Sequence, residues 1–273
     1  MIRKTGLSII IGIALCVAAS GISQAKTFPH LVVFGDSLSD NGIDDGNGFM
    51  RKSNGKVWPE YLAEMMGAKT VDVRAWSGAM SGLGNYSPNA KDWSGLLWQV
   101  QKYTPSTVMD ETLVVVEIGT NDLHDPDTKV TPAQVVENVM KALEGLSSKG
   151  VKHLMLWNLN ASLVSPGYTD EKYQWFDYYK NKKDAATEQF RQFNLLIVDA
   201  VDDFNKKQKS MQVILFDADA AVAEIAKQFK NTTTPWYDTK YFPEKGGWFW
   251  FDHWHYMTET HKYLAEHIFQ ALP

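Results

Sequence analysis

LVVFGDSLSDNG, residues 31–42, is the stretch on which the reading of the chain turns. Leu31 to Phe34 make a short continuous apolar run, as a buried strand does, and the run stops abruptly at Gly35, Asp36 and Ser37. A serine directly after a strand, on a turn loosened by glycine, has its hydroxyl held at the carboxyl edge of a sheet. The N–H groups of the same turn can face an oxyanion there. Serine and aspartate are also common helix N-caps, so the stretch by itself admits a nucleophile or a cap. The Gly-x-Ser-x-Gly elbow is absent, because Ser39 occupies the place of its second glycine.

Working outward, short apolar runs alternate with longer helical patterns. The expected strands are Leu31–Gly35, Thr70–Val73, Leu113–Ile118, Val151–Trp157 and Gln212–Phe216. The third and fourth are apolar on both alternating faces, as strands covered by helices on both sides must be. The expected helices are Val57–Met66, Pro132–Leu146, Asp184–Asn205, Ala218–Phe229 and Thr258–Gln270, with Thr131 and Thr258 as N-caps. The alternation predicts a three-layer α/β/α sandwich, flavodoxin-like, with about five mostly parallel strands. In such a sheet, ligands bind at the loops after the carboxyl ends of the strands.

Composition narrows the setting. Arg3 and Lys4 precede an apolar run from Leu7 to Ala19, and Ser23-Gln24-Ala25 follows. That is the three-part pattern of a secretory signal, with cleavage expected after Ala25. The run falls short of the roughly 20 residues that span a bilayer. Leu15 precedes Cys16, where a lipobox has a small residue, which argues against a lipid anchor there. Residues 26–273 then form one domain with no cysteine, carrying 25 basic and 32 acidic side chains. The negative balance argues against nucleic acid as a partner. The expectation is an extracytoplasmic monomer, secreted or periplasmic, with no cofactor and no metal.

Two more segments bear chemistry. Glu117-Ile118-Gly119-Thr120-Asn121-Asp122-Leu123 also follows an apolar strand and breaks it at a glycine. Its asparagine can aim an amide at developing negative charge, or can make an Asx-turn with its own backbone. In Phe251-Asp252-His253-Trp254-His255-Tyr256, Asp252 and His255 are three apart just before a helix. A carboxylate so placed fixes an imidazole's tautomer, as a serine's general base requires. Metal binding by Asp252, His253 and His255 competes, but no partner cluster accompanies them. Asp40, Asp44 and Asp45 lack the spacing of a calcium loop and are expected to decorate a surface loop.

Taken together, the segments resemble the GDSL esterases and lipases, also called SGNH hydrolases. Gly35-Asp36-Ser37-Leu38 matches that family's first block, Gly119-Thr120-Asn121-Asp122 its third and Asp252-x-x-His255 its fifth, while Trp76-Ser77-Gly78-Ala79-Met80-Ser81 is similar to its second. The resemblance implies Ser37 as nucleophile, His255 as general base and Asp252 as the residue that orients it. It implies an oxyanion hole from the backbone N–H groups of Ser37 and Gly78 and the amide of Asn121. Many members carry proline after the histidine, where this chain has Tyr256.

The substrate is less legible. Trp248, Trp250, Phe251 and Trp254 crowd the approach to His255, with Trp236, Tyr237, Tyr241 and Phe242 shortly before. They are read as an acyl trough or a lip meeting a membrane surface, although aromatic residues also simply pack loops onto cores. The stretch from Phe34 through Val57-Trp58-Pro59-Glu60 looks like the branch of secreted lysophospholipases and phospholipases A, some of which also transfer acyl groups to alcohols. The expected partner is therefore a lipid ester. A carbohydrate or peptidoglycan O-acetylesterase is the alternative, and a catalytically silent binding protein the more distant one.

Overall fold

The computed structural model describes residues 28–42, 51–236 and 247–273. The expected signal segment and Asp44, Asp45, Tyr237, Tyr241 and Phe242 lie outside the described residues. Strands β1 (His30–Gly35), β2 (Thr70–Val73), β3 (Thr112–Glu117), β4 (His153–Trp157) and β5 (Gln212–Phe216) form one sheet in the order β2-β1-β3-β4-β5. Every neighbouring pair is parallel. This is the flavodoxin-like order, in which the chain reverses its direction of travel between β1 and β3 and opens a crevice there.

Side chains along a strand point alternately to its two faces, and the core divides accordingly. Val32, Phe34, Val114, Val116, Leu154 and Leu156 face one apolar layer. Helices α2 (Leu96–Lys102), α4 (Pro132–Ser148) and α6 (Lys183–Lys207) cover it. Leu31, Val33, Leu113, Val115, Met155 and Trp157 face the other. That layer is closed by α1 (Trp58–Met66), α7 (Ala218–Ala226) and α8 (Thr258–Gln270). The central strands β1 and β3 are therefore apolar on both faces, while the edge strand β2 is exposed or half-buried throughout.

All five expected strands form, with boundaries within two residues. Helix α4 starts as the sequence implies: the Thr131 hydroxyl accepts the Gln134 N–H, and the Gln134 side chain accepts the Thr131 N–H. Helix α8 does not start as expected. Its N-cap is Met257, and the Thr258 N–H is accepted by the Asn54 side chain, 204 residues away in sequence. The Thr258 hydroxyl instead donates to the Lys56 carbonyl. Tertiary packing thus supplies the cap. Helices α2, α3 (Thr120–Leu123) and α5 (Phe176–Tyr179) were not expected; each is at most seven residues long and none has a side-chain cap.

His261 on α8 is fully buried, and among the described residues neither ring nitrogen has a hydrogen-bond partner. Burial, with smaller repulsion from His255 and Arg51, lowers its pKa to about 3. A histidine kept neutral in the fold charges only on unfolding, so it subtracts stability as pH falls below its unfolded value near 6.5. Asp122, raised by burial to about 6, acts with the opposite sign. Comparing two proteins that both contain Asp122 cancels that contribution. In thermal melts, wild type should lose about 2–3 kcal/mol relative to His261→Leu between about pH 7 and about pH 4.5. A pH-independent difference between the two would show that His261 is not the buried neutral group described.

Candidate active site

The parallel register brings three loops to one edge of the sheet. Gly35 pairs with Glu117, so β1 and β3 end level with each other and release Ser37 and Asn121 side by side. The loop after β2 runs alongside, tied on by the Trp76 N–H donating to the Gly35 carbonyl at 3.1 Å. The loop before α8 comes over the top with Asp252 and His255.

Ser37 and His255, 218 residues apart, meet there. The Ser37 hydroxyl lies 2.9 Å from His255 Nε2. On the other side of the ring, Nδ1 is 2.7 and 2.8 Å from the two Asp252 oxygens, which assigns the proton to Nδ1 and leaves Nε2 to accept from Ser37. Asp252 is itself held in place, because its Oδ1 accepts the backbone N–H groups of Trp254 and His255 at 2.8 and 2.9 Å. Burial alone would raise this carboxyl. The neighbouring His255 and those hydrogen bonds outweigh burial and hold it at about 2. It is a carboxylate at any ordinary pH, fitted to stabilise an imidazolium.

Donors converge beside the hydroxyl. Among the described residues, the backbone N–H groups of Ser37 and Gly78 have no acceptor within the protein. The Asn121 amide donates to the Ala79 carbonyl at 3.0 Å and to Asp36 Oδ2 at 3.2 Å. Gly78 has φ +81, and a Cβ there would lie 2.4 Å from Asn85 Oδ1. The Asn85 side chain fills that space because its amide is bonded to the Ser77 carbonyl and the Ser94 hydroxyl. Ser37, Gly78, Asn121 and His255 line one cavity, with Asp252 behind the His255 ring, and such an arrangement can deprotonate a hydroxyl while receiving negative charge on an adjacent oxygen.

Two further acids act as struts. Asp40, expected on a solvated loop, is buried, and its Oδ2 accepts both the N–H and the hydroxyl of Ser77. Asp122 accepts both the N–H and the hydroxyl of Ser81. Each carboxylate ties a strand-end loop to the loop carrying Gly78. The competing metal arrangement does not form: the His253 ring stacks on Tyr173 at 3.9 Å and faces Asp170, away from the Asp252–His255 pair. Among the described residues no group of histidine, cysteine or acidic side chains could hold a metal ion.

Residues 31–268 match the family described as GDSL-like Lipase/Acylhydrolase. The chain belongs to this family. The family is one of lipases and acylhydrolases, enzymes that cleave carboxylic esters. A phosphatidylcholine-sterol acyltransferase from Aeromonas hydrophila is 26% identical over 177 residues, covering 59% of this chain and 52% of that protein. The chain thus spans about half the length of this curated relative. Among solved structures, an M. smegmatis aryl esterase in inhibitor-bound form aligns with a TM-score of 0.55 at 15% identity, over 89% of this chain and 99% of the esterase. The acetyl xylan esterase AlAXEase aligns with a TM-score of 0.52 at 14% identity, over 89% and 100%. A carbohydrate acetylesterase family member from Sinorhizobium meliloti gives 0.52 at 16%, over 88% and 96%. These likenesses are of fold.

The GDSL hydrolase site opens into a cavity of about 660 Å³. Of the aromatic residues expected beside His255, Trp250 and Trp254 line it and Trp248 and Phe251 do not. Trp250 is a buried core residue whose indole donates to the Thr232 carbonyl, and Phe251 stacks on Trp236. Much of the aromatic wall comes from a segment to which the sequence reading assigned nothing: Tyr168, Tyr173, Trp175, Tyr178 and Tyr179. Buried Asp125 pins this segment to the end of α3 by accepting from Tyr86, Tyr178 and Lys182 at 3.1, 2.7 and 2.7 Å. The density of tyrosine and tryptophan between residues 168 and 179 was the available signal. Trp254 bridges the two sets, seated over Gly167, where a Cβ would lie 2.1 Å from its ring.

Gly78→Ala keeps the N–H but drives a Cβ into Asn85 and so displaces it; if that N–H receives an oxyanion, hydrolysis of p-nitrophenyl butyrate should fall by roughly 10²-fold or more. Gly67→Ala is the control: its φ is +62, with nothing within 4 Å of the added Cβ. It should cost roughly 1 kcal/mol of stability and leave the rate unchanged. Equal rates in wild type and Gly78→Ala would remove Gly78 from the site.

Proposed function

We propose that the chain is a lipid acyl hydrolase, a lysophospholipase A or phospholipase A in class, working through Ser37 as nucleophile, His255 as general base and Asp252 as its orienting carboxylate. Ser37 attacks the ester carbonyl while its proton passes to His255 Nε2. The oxyanion takes the N–H groups of Ser37 and Gly78 and one N–H of Asn121. His255 then gives its proton to the departing alcohol, and water resolves the acyl-enzyme by the same steps in reverse. An alcohol can replace water in the second half, so acyl transfer accompanies hydrolysis in this scheme. The Aeromonas hydrophila relative, named a phosphatidylcholine-sterol acyltransferase, is consistent with that.

The observation that carries the lipid reading is the cavity. At about 660 Å³ it is many times the size of an acetyl group, and within the roughly 300–1,000 Å³ of sites that enclose whole organic ligands. Leu38, Trp157, Leu163, Val222, Trp250 and Tyr256 line one side of it. At its mouth, Trp175 and Tyr178 are 57% and 44% exposed, large rings left in water where a lipid surface would cover them. The leader read in residues 1–25 fits export to a compartment where such lipids occur.

Each buried methylene contributes about 0.8 kcal/mol. On p-nitrophenyl esters, kcat/KM should therefore rise roughly three- to fourfold per added methylene until the cavity is filled. Fatty acid release from lysophosphatidylcholine should exceed release from diacyl phosphatidylcholine. Activity falling steeply beyond acetyl esters would replace this reading with an O-deacetylase on the same fold. Asn121→Ala should slow turnover by roughly 10²–10³-fold with the fold intact.

A further inference from the structure

Two carboxyl groups lie directly behind the oxyanion hole, and the hydrolytic steps use neither. Asp36 and Glu117 are 1% and 2% exposed. The Gly35–Glu117 register brings them together, and Glu117 Oε2 lies 3.5 Å from the Asp36 backbone nitrogen and 2.8 Å from the Ser39 hydroxyl on the same turn. Two acids this close and this deeply buried favour one proton held between them over two anions. Both groups are pushed upward, chiefly by burial and for Asp36 next by the Glu117 charge, and no lysine or arginine contributes to either.

The remaining contacts give the pair its reach. Asp36 Oδ1 accepts the Leu38 N–H at 3.0 Å, which holds the nucleophile's turn. Asp36 Oδ2 lies 3.2 Å from the Asn121 amide nitrogen. Glu117 Oε2 accepts the Ser39 hydroxyl at 2.8 Å, and Ser39 in turn accepts the Trp58 indole N–H from α1. From α2, the neutral Gln99 amide brackets Gly35. The other titratable groups facing the pair are Asp122 at the end of the third block, and Tyr256 and His255 from the loop before α8.

Both N–H groups of Asn121 are engaged, one by Ala79 and one by Asp36. An oxyanion must therefore take an N–H in competition with Asp36. A neutral carboxyl is a weak competitor, whereas a carboxylate would grip the amide and repel the oxyanion as well. We propose that Asp36 and Glu117 hold one proton between them in the working enzyme, and that Asp36 is a positioning residue that sets the Asn121 amide for the oxyanion. The proposal rests on the oxyanion role given to Asn121 above. Loss of the shared proton leaves Asp36 charged and the hole weakened, so turnover falls on the alkaline side.

The test is the dependence of kcat on pH, from about pH 5 to about pH 10, on a soluble short-chain ester, for wild type, Glu117→Gln and Asp36→Asn. In Glu117→Gln the amide donates to Asp36 and stabilises its anion, so the alkaline fall moves to lower pH and kcat near pH 8 drops roughly tenfold or more. In Asp36→Asn the ionising acid beside Asn121 is gone and that fall disappears, whatever the absolute rate. KM moves little in either variant, since neither residue holds the acyl chain. A purely structural role would lower kcat evenly at all pH values. An alkaline fall unmoved in both variants overturns the proposal, and Asp36→Asn answers alone if Glu117→Gln does not fold. Undiminished activity in Asn121→Ala is a separate outcome, which removes the oxyanion reading itself.

Discussion

The parallel pairing of β1 with β3, in the register that sets Gly35 opposite Glu117, is the constraint on which the site depends. It ends two apolar strands at the same level, so the turns that follow emerge as neighbours, one bearing Ser37 and the other Asn121. Gly35 makes the approach achievable, since a Cβ there would lie 2.6 Å from the Glu117 carbonyl oxygen. A slip by one residue would exchange the side chains of either strand between two differently shaped apolar layers, so packing in both layers specifies the alignment. The site's geometry is in that sense a by-product of packing a sheet between two helical layers.

Above that sheet edge, buried carboxylates replace regular structure. Asp40 and Asp122 each accept an N–H and a hydroxyl from the loop after β2, and Asp36 and Glu117 knit the nucleophile's turn to β3 and α1. The hydrogen bonds they accept come from neutral donors, and Asp40 feels a smaller pull from the Lys52 charge. Burial raises all four, and the hydrogen bonds they accept offset only part of that rise. Acceptors of this kind hold loop backbones that neither helix nor strand can satisfy. Asp252 stands apart. Unlike these four, it bonds the His255 imidazole and is held well below the usual carboxylate range.

Specificity is built from different material. The segment from Pro166 to Lys182 wraps the cavity with tyrosines and a tryptophan, and Asp125 anchors it to the end of α3. It meets the loop that carries Asp252 and His255 through His253, whose ring stacks on Tyr173, and through Trp254, which packs against Tyr168 and Tyr179 at ring separations of 5.0 and 4.9 Å. The residues that shape the pocket are thus largely different from those of the Ser37–His255–Asp252 chain. This is why membership of the GDSL hydrolases speaks for ester chemistry without choosing the acyl group.

The amino-acid order alone determined what is local. The apolar runs ending at Gly35 and Glu117 announced the strands, Thr131-Pro132 announced a helix start, and strand–helix alternation announced the layers. The blocks around Ser37, Asn121 and Asp252–His255 were legible because each is a short motif with a recognisable spacing. What the order could not express is anything made between distant segments: the Asn54 cap on α8, the Asp40 strut to Ser77, the Asp36–Glu117 pair, or the aromatic wall from residues 168–179. A carboxylate reads as solvated and an aromatic cluster beside a histidine reads as a lip, until burial shows that Asp40 is a strut and Trp250 a core residue. Hydrogen bonding and burial depend on what the folded chain brings within reach, and so only the tertiary structure decided them.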